Sequence, residues 1–307
     1  MITISTLSDM PETLKGGIIA IGNFDGVHLG HGALLSLARE KAQAEKRPFG
    51  VLTFEPHPRR LFRPDEPPGR ITPINVKHWR LGLTGADFVC ALTFDWNFAS
   101  QSAEHFVTDI LKQGLGAHHV VVGHDFRFGQ LRAGTPDLIT SHDIGVTLCD
   151  EFLDPEGQKI ASSTIRQKLR IGDLDTAHQL LGWSWEIWGD VVRGDRRGHD
   201  LGYPTANILL KDTLHPAYGV YAARVQIEGE NMWRPAAVNI GIRPMFELKE
   251  GQVEAHILNF PDRDIYGRRL KIQPVKRLRS EAKFNSLDDL KHQMAKDCAQ
   301  SLALLAE

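Results

Sequence analysis

Two histidines, His28 and His31, stand three residues apart in the stretch Gly22-Asn23-Phe24-Asp25-Gly26-Val27-His28-Leu29-Gly30-His31. The stretch follows an apolar run, Ile18–Ile21, that reads as a buried strand. Leu34, Leu35, Ala38 and Ala42 come next, at helical spacing. The histidines therefore sit on a strand-to-helix turn, which is where ligands bind in an open α/β sheet. Gly22, Gly26 and Gly30 let the backbone turn sharply and come close to a ligand. A helix start offers N–H groups and a positive dipole end to an anion, and the two imidazoles add to that. No lysine follows the glycines as in a P-loop, and the dinucleotide-binding spacing is absent.

Three more stretches in the first half bear groups suited to the same chemistry. Thr53-Phe54-Glu55-Pro56-His57-Pro58, with Phe62 beyond, offers aromatic rings and rigid prolines as a flat wall for an aromatic ligand. Val122-Gly123-His124-Asp125-Phe126-Arg127-Phe128-Gly129 brings a carboxylate, an arginine and two rings to one strand end. Ile160-Ala161-Ser162-Ser163-Thr164-Ile165-Arg166 opens a helix with hydroxyls and an arginine, a pattern that suits phosphate. Taken singly, each has a plain structural reading as a strand exit or an N-cap.

In the second half, Gly194, Gly198 and Gly202 punctuate a basic loop that can cover phosphates with its N–H groups. Pro204-Thr205-Ala206-Asn207 follows in extended form, so Thr205 and Asn207 share a face and offer neutral oxygens to a metal. Mg²⁺ accepts such a sparse set when phosphates supply the other ligands. Val253-Glu254-Ala255-His256-Ile257 alternates, which puts Glu254 and His256 on one strand face. Glu254 there can take a proton from a substrate hydroxyl as a general base.

The elements that must position these groups fall into two patterns. Apolar runs at Ile18–Ile21, 49–54, 88–92, 119–122 and 146–148 alternate with helical segments. One such segment starts near Ser102, buries Phe106, Val107, Ile110 and Leu111, and stops at Gly114. This predicts a parallel, doubly wound, Rossmann-like sheet. After Gly182 the period becomes two, with strand candidates at 185–192, 221–227, 236–240, 253–260 and 270–278. Short antiparallel strands in one unit predict a small β-barrel. A terminal helix follows, with Ser286 and Asp289 as a capping box and Leu287, Leu290, Met294, Cys298 and Leu302 as its apolar stripe. The expected domains are therefore 1–182 and 183–307.

At 307 residues and a net charge of −2, the chain has no electrostatic footprint for nucleic acid. No apolar run approaches membrane-spanning length, and no signal-peptide pattern opens the chain. Cys90, Cys149 and Cys298 are dispersed, which predicts reduced thiols in a cytoplasmic protein. Small molecules are the expected partners, and the expected assembly is at most a weak homo-oligomer.

The turn matches the His-x-Gly-His signature of nucleotidylyltransferases. Together, the turn, Phe-Glu-Pro-His-Pro, Gly-His-Asp-Phe-Arg-Phe-Gly, Leu-Gly-Tyr-Pro-Thr-Ala-Asn and Val-Glu-Ala-His-Ile resemble the prokaryotic bifunctional riboflavin kinase/FAD synthetase family, in family order. That resemblance implies a C-terminal barrel that phosphorylates riboflavin to FMN with ATP and Mg²⁺. It implies an N-terminal module that adenylylates FMN to FAD and releases pyrophosphate. His28 and His31 would then bind the ATP phosphates, within the turn formed by Gly22, Asn23, Phe24, Asp25, Gly26 and Gly30. Gly123, Asp125, Ser162 and Arg166 would complete that nucleotide site. Phe54, Pro56, His57, Pro58, Phe62, Phe126 and Phe128 would form the flavin wall. Gly194, Gly198 and Gly202 would form the kinase ATP loop, Thr205 and Asn207 would hold Mg²⁺, and Glu254 would be the base. One departure is Ala161, which stands where the family usually has serine. Two competing readings are a nucleotidylyltransferase with another phosphorylated acceptor and a non-catalytic flavin-binding regulator. The barrel motif weighs against the first, and the intact polar residues weigh against the second.

Overall fold

The computed structural model describes residues 1–194, 202–245, 248–261 and 263–306. The chain divides into two compact units. The first comprises Met1–Glu66 and Ile74–Ala161, and the second comprises Pro67–Pro73 and Ser162–Glu307.

The first unit is built on a six-stranded parallel sheet. Its strands are β1 (Ile2–Ile4), β2 (Ile18–Ile21), β3 (Phe49–Glu55), β4 (Phe88–Thr93), β5 (His119–Gly123) and β6 (Gly145–Cys149). They lie in the order β1-β4-β3-β2-β5-β6. Five of the six coincide with the apolar runs in the sequence. β1 is an edge strand of three residues, too short for alternation to announce it. Successive side chains of β2 enter opposite cores. Ile19 and Ile21 join the cluster containing Phe106, Val107, Ile110 and Leu111, whereas Ile18 and Ala20 join the one containing Leu34, Leu35, Ala38 and Ala42.

The latter four residues are the buried face of helix α1 (Leu29–Glu45), which ends where Lys46 turns left-handed. Shorter helices α2 (Pro58–Phe62) and α3 (Ile74–Gly82) follow β3. The segment capped by Ser102 runs through Ala103–His105 into a π-helical stretch, Phe106–Gly114, and buries the four side chains expected of it. A Cβ on Gly114 would meet Leu7 Cδ1 at 2.7 Å, which accounts for a glycine there.

The second unit holds six antiparallel strands in the order β7-β12-β9-β10-β11-β8. They are β7 (Ile187–Asp190), β8 (Ala206–Leu209), β9 (Gly219–Ile227), β10 (Trp233–Met245), β11 (Leu248–Ile257) and β12 (Arg269–Arg279). A bridge between Val192 and Asn207 nearly closes the sheet into a barrel. The helices Ser162–Ile171 and Leu174–Leu181 group with this unit. The Leu169 carbonyl accepts from the Ala217 N–H, and Lys276 on β12 pairs with Asp175 at 3.0 Å.

The segment Pro67–Pro73 also belongs here. The buried Trp185 indole donates to the Ile71 carbonyl at 2.8 Å, and the Arg70 carbonyl accepts from the Leu214 N–H. The Arg70 side chain pairs with Asp212 at 2.9 Å.

The terminal helix, Leu287–Leu305, has the expected cap: the Ser286 hydroxyl accepts from the Asp289 N–H at 3.1 Å. Its inner face keeps the middle of the expected stripe, with Leu290, Met294 and Cys298 half-buried, but not the ends, Leu287 and Leu302, which are exposed. Asp297 and Ser301 are the buried residues, and Leu287 is 65% exposed. The cause is an ion pair. Arg279 on β12 donates to the Asp297 carboxylate at 2.7 Å, with Gln293 adding a bond at 2.8 Å, and the helix docks on that carboxylate. A buried carboxylate needs such partners.

Candidate active sites

In the first unit, strand order reverses beside β2: β3 and β4 lie on one side, β5 and β6 on the other. The carboxyl ends of β2 and β5 therefore flank a topological switch point, the ligand crevice of such sheets. Gly22–His31 leaves β2 there, and Gly123–Asp125 leaves β5. The turn is unusual in its backbone. Phe24 has φ +50° and Val27 has φ +38°, values that non-glycine residues seldom adopt. Gly26, at φ +89°, makes the bend between them. Phe24 is fully buried beneath the turn.

His28 is the N-cap of α1, and its Nδ1 accepts from the His31 N–H at 3.3 Å. The two imidazoles stack at 3.7 Å, and the Phe24 ring meets His31 edge-on at 5.2 Å. A Cβ on Gly30 would stand 3.3 Å from both the His28 ring and the Ile160 carbonyl, so the pair is closely enclosed. Asp25 is buried beside it. The arrangement aims a helix N-terminus and two imidazoles at one point, which suits a polyphosphate.

Sequence reasoning missed a buried lysine under this turn. Lys77, on α3, is 1% exposed. Its Nζ pairs with Glu55 Oε1 at 2.5 Å, donates to Thr53 Oγ1 at 3.0 Å, and donates to the Asn23 carbonyl at 3.3 Å. The Thr53 hydroxyl donates to the same carbonyl at 3.2 Å. A lone lysine in a short helix carries no signal of this in the sequence.

The proposed flavin-wall residues fall into two groups. Phe54 and Phe62 belong to an aromatic cluster with Phe94, Trp96 and Phe98, at ring separations of 5.4 to 5.9 Å. Phe94, Trp96 and Phe98 were not singled out in the sequence. Pro56 follows a cis peptide bond, Pro58 starts α2, and the His57 side chain caps that helix by accepting from the Arg59 N–H at 3.1 Å. Phe126 and Phe128 form the other group, their rings 5.5 Å apart. Phe128 is a core residue, 6% exposed and packed on Phe106.

Asp125 lies at the β5 exit, 3.3 Å from Lys159, which also holds Glu151 at 2.9 Å. Partial burial opposes ionisation of Asp125, but the Lys159 hydrogen bond and charge outweigh it and hold the carboxyl below its usual range. Ser162 and Arg166 group with the second unit, where Arg166 is buried and donates to the Gly69 carbonyl at 2.7 Å.

In the second unit a cleft of about 760 Å³ is lined by Gly194, Gly202, Thr205, Asn207, His256 and Tyr266, among others. A smaller cavity of about 370 Å³ is lined by Tyr203, Glu254, Phe284, Met294 and Cys298, and Thr205 and His256 border both. Gly198 lies outside the described residues. Asn207 and Glu254 are register partners on β8 and β11. The buried Asn207 accepts from the Gln252 amide through Oδ1 and donates to the Thr205 carbonyl at 3.3 Å. Gln252 also reaches Glu254 Oε1 at 3.4 Å, a connection between the two cavities that the motifs had not revealed. The Pro204 carbonyl lies 2.8 Å from His256 Nδ1, which orients that ring. Among the described residues, no three His, Cys, Asp or Glu side chains cluster as a metal site, and no helix is long and apolar enough to cross a membrane.

A Rossmann-like module with a histidine turn at its switch point, joined to a barrel with paired cavities, defines a class: two-module transferases that use ATP. A family model for FAD synthetase matches residues 10–164, and one for riboflavin kinase matches residues 181–305. The bifunctional riboflavin kinase/FMN adenylyltransferase of Escherichia coli (strain K12) is 39% identical over 96% of this chain and 94% of its own. That of Bacillus subtilis (strain 168) is 35% identical over 95% and 93%. A crystal structure described as a macrolide-efflux protein from Streptococcus pneumoniae superposes with a TM-score of 0.83 at 32% identity, over 97% of each chain. This chain belongs to the bifunctional riboflavin kinase/FMN adenylyltransferase family. It phosphorylates riboflavin to FMN and adenylylates FMN to FAD, with ATP as the donor in both reactions.

Proposed function

We propose that adenylyl transfer takes place at the Gly22–His31 turn and phosphoryl transfer at the paired cavities of the barrel. The observation that carries this division is placement: the histidine pair lies in one compact unit, and Thr205, Asn207 and Glu254 lie in the other. In adenylyl transfer, an FMN phosphate oxygen attacks the α-phosphorus of ATP and pyrophosphate leaves. No proton need be removed from an ionised phosphate, so the work is positioning and charge stabilisation. His28, His31 and the first N–H groups of α1 supply donors for the phosphates, with Gly123 and Asp125 at the neighbouring strand end. Phe54, Phe62 and Phe126 present ring faces or edges to the flavin, while Phe128 supports Phe126 from the core.

In the kinase, Glu254 accepts the proton of the riboflavin hydroxyl as its oxygen attacks the terminal phosphorus of ATP. Its place on the smaller cavity, beside Phe284 and Met294, suits a base next to an apolar ring. Gly194, Gly198 and Gly202 are assigned to the ATP loop, and Gly194 and Gly202 line the larger cleft. Thr205 and Asn207 would hold Mg²⁺. Their neutral oxygens fit an ion that takes its remaining ligands from phosphates and water. An amide oxygen has two lone pairs, and Gln252 engages one on Asn207. An ion held there would neutralise charge on the transferring phosphate. The kinase module proper is taken to begin near residue 183, with the helices of 162–181 as its outer support; the riboflavin kinase match from residue 181 favours this limit.

The test is chromatography of riboflavin, ATP and Mg²⁺ after incubation with the pure protein. The wild type should yield FMN and then FAD. His28→Ala or His31→Ala should stop at FMN. Equal loss of both products in a folded variant would refute the division.

A further inference from the structure

Lys77 is the only buried lysine among the described residues. Placing an ammonium out of water is costly unless it is paired and hydrogen-bonded, and Lys77 has both kinds of partner. What it holds is informative. The Asn23 carbonyl accepts from both Lys77 Nζ and Thr53 Oγ1. The next residue is Phe24, the first of the two left-handed non-glycine residues in the turn. Strained backbone persists where surrounding contacts over-determine it. Phe24 is fully buried and touches His31, which stacks on His28. A shift of the Asn23 carbonyl would therefore reach both imidazoles. On its other side, Lys77 grips Glu55, the residue before Pro56 and His57. One ammonium thus ties the turn that carries the histidines to the start of the flavin wall.

We propose that Lys77 is a positioning residue for adenylyl transfer, holding the His28–His31 turn in its strained form through the Asn23 carbonyl. It touches neither substrate and acts through the turn. The inference rests on the assignment of adenylyl transfer to that turn.

The experiment uses the full chain and reads both reactions in each variant. Lys77→Met keeps the length of the side chain and removes its charge and donors. FAD formation should fall about 10- to 100-fold, mainly in kcat, because a misplacement near 1 Å at a reacting centre costs up to about 100-fold. FMN formation from riboflavin should stay within about twofold of wild type. Thr53→Val removes the second donor to Asn23 and should give a smaller loss of the same kind. Because both act on one carbonyl, the double variant should be little worse than Lys77→Met alone. Should Lys77→Met fail to fold, Lys77→Met/Glu55→Gln removes both charges together and should show the same selective loss. Full FAD turnover in Lys77→Met, a parallel fall in both reactions, or multiplying effects with Thr53→Val would overturn the proposal. His28→Ala is the control for the underlying assignment. An inactive His28→Ala beside a fully active Lys77→Met condemns the role of Lys77, whereas an active His28→Ala condemns the site.

Discussion

A Cβ at Gly194 would stand 2.5 Å from the Asn207 amide nitrogen. Gly194→Ala must therefore push Asn207 away from Thr205 and Gln252. It should lower FMN formation by about 10-fold or more and leave adenylylation of supplied FMN untouched, as steady-state rates of the two reactions would show. Two further substitutions separate metal binding from base chemistry. Asn207→Ala removes a proposed oxygen ligand, so added Mg²⁺ should recover part of its lost rate. Glu254→Gln keeps shape and removes the proton acceptor; kinase turnover should drop by roughly two to four orders of magnitude, and Mg²⁺ should not help. Near-normal turnover in Glu254→Gln would pass the role to His256, on the same face of β11. The sequence made all these residues visible because type and spacing were enough. Lys77 was hidden because nothing near it in the chain marks a lysine whose partners, Asn23, Glu55 and Thr53, arrive from two other elements.

The same division between local and distant causes holds for whole elements. β2 to β5 were readable because each is an apolar run buried on both faces, and half-buried β6 kept enough of the pattern at 146–148 to be found. The terminal helix was readable in its cap and in the middle of its face, at Leu290, Met294 and Cys298, but not at Asp297, which is buried by virtue of Arg279 on another strand. β5 allows a pH test. His119 opens it, 2.8 Å from the Thr147 hydroxyl of β6, and a Cβ on Gly145 would collide with its ring. Burial, and then the charge of Lys41, push the His119 imidazole from 6.5 down to about 4. The unfolded chain takes up this proton as pH falls below about 6.5, while the folded chain resists until about 4. Stability from this residue is therefore complete above that window and is lost as pH falls through it. The ring is only half-buried, so the discounted effect is on the order of 1 kcal/mol. Urea unfolding at pH 7 and pH 5 should show a smaller acid loss for His119→Gln than for wild type; equal losses would exclude His119 as the source.

For the molecule as a whole, the segment Pro67–Pro73 reads as a proline-rich loop, and its neighbours are remote in sequence. Ile71 meets Trp185 across 114 positions, and Arg70 meets Asp212 across 142. No local pattern could have assigned it to the second unit. Trp185→Phe in the full chain would leave the Ile71 carbonyl without its donor and should cost about 1–3 kcal/mol, read as a lowered denaturation midpoint. A fragment of residues 183–307 should fold and make FMN, but should melt below a fragment of residues 162–307, which keeps the bond from Ala217 to Leu169 and the Lys276–Asp175 pair. Equal melting would show that the two helices add nothing. During synthesis, residues 67–73 leave the ribosome long before Trp185 and Asp212 exist. A nascent chain can complete the parallel sheet after residue 149, yet must keep this early loop unclaimed until the barrel strands emerge. Truncated messages ending before residue 185 should therefore release a chain whose 67–73 segment is open to protease, and translation past residue 214 should close it.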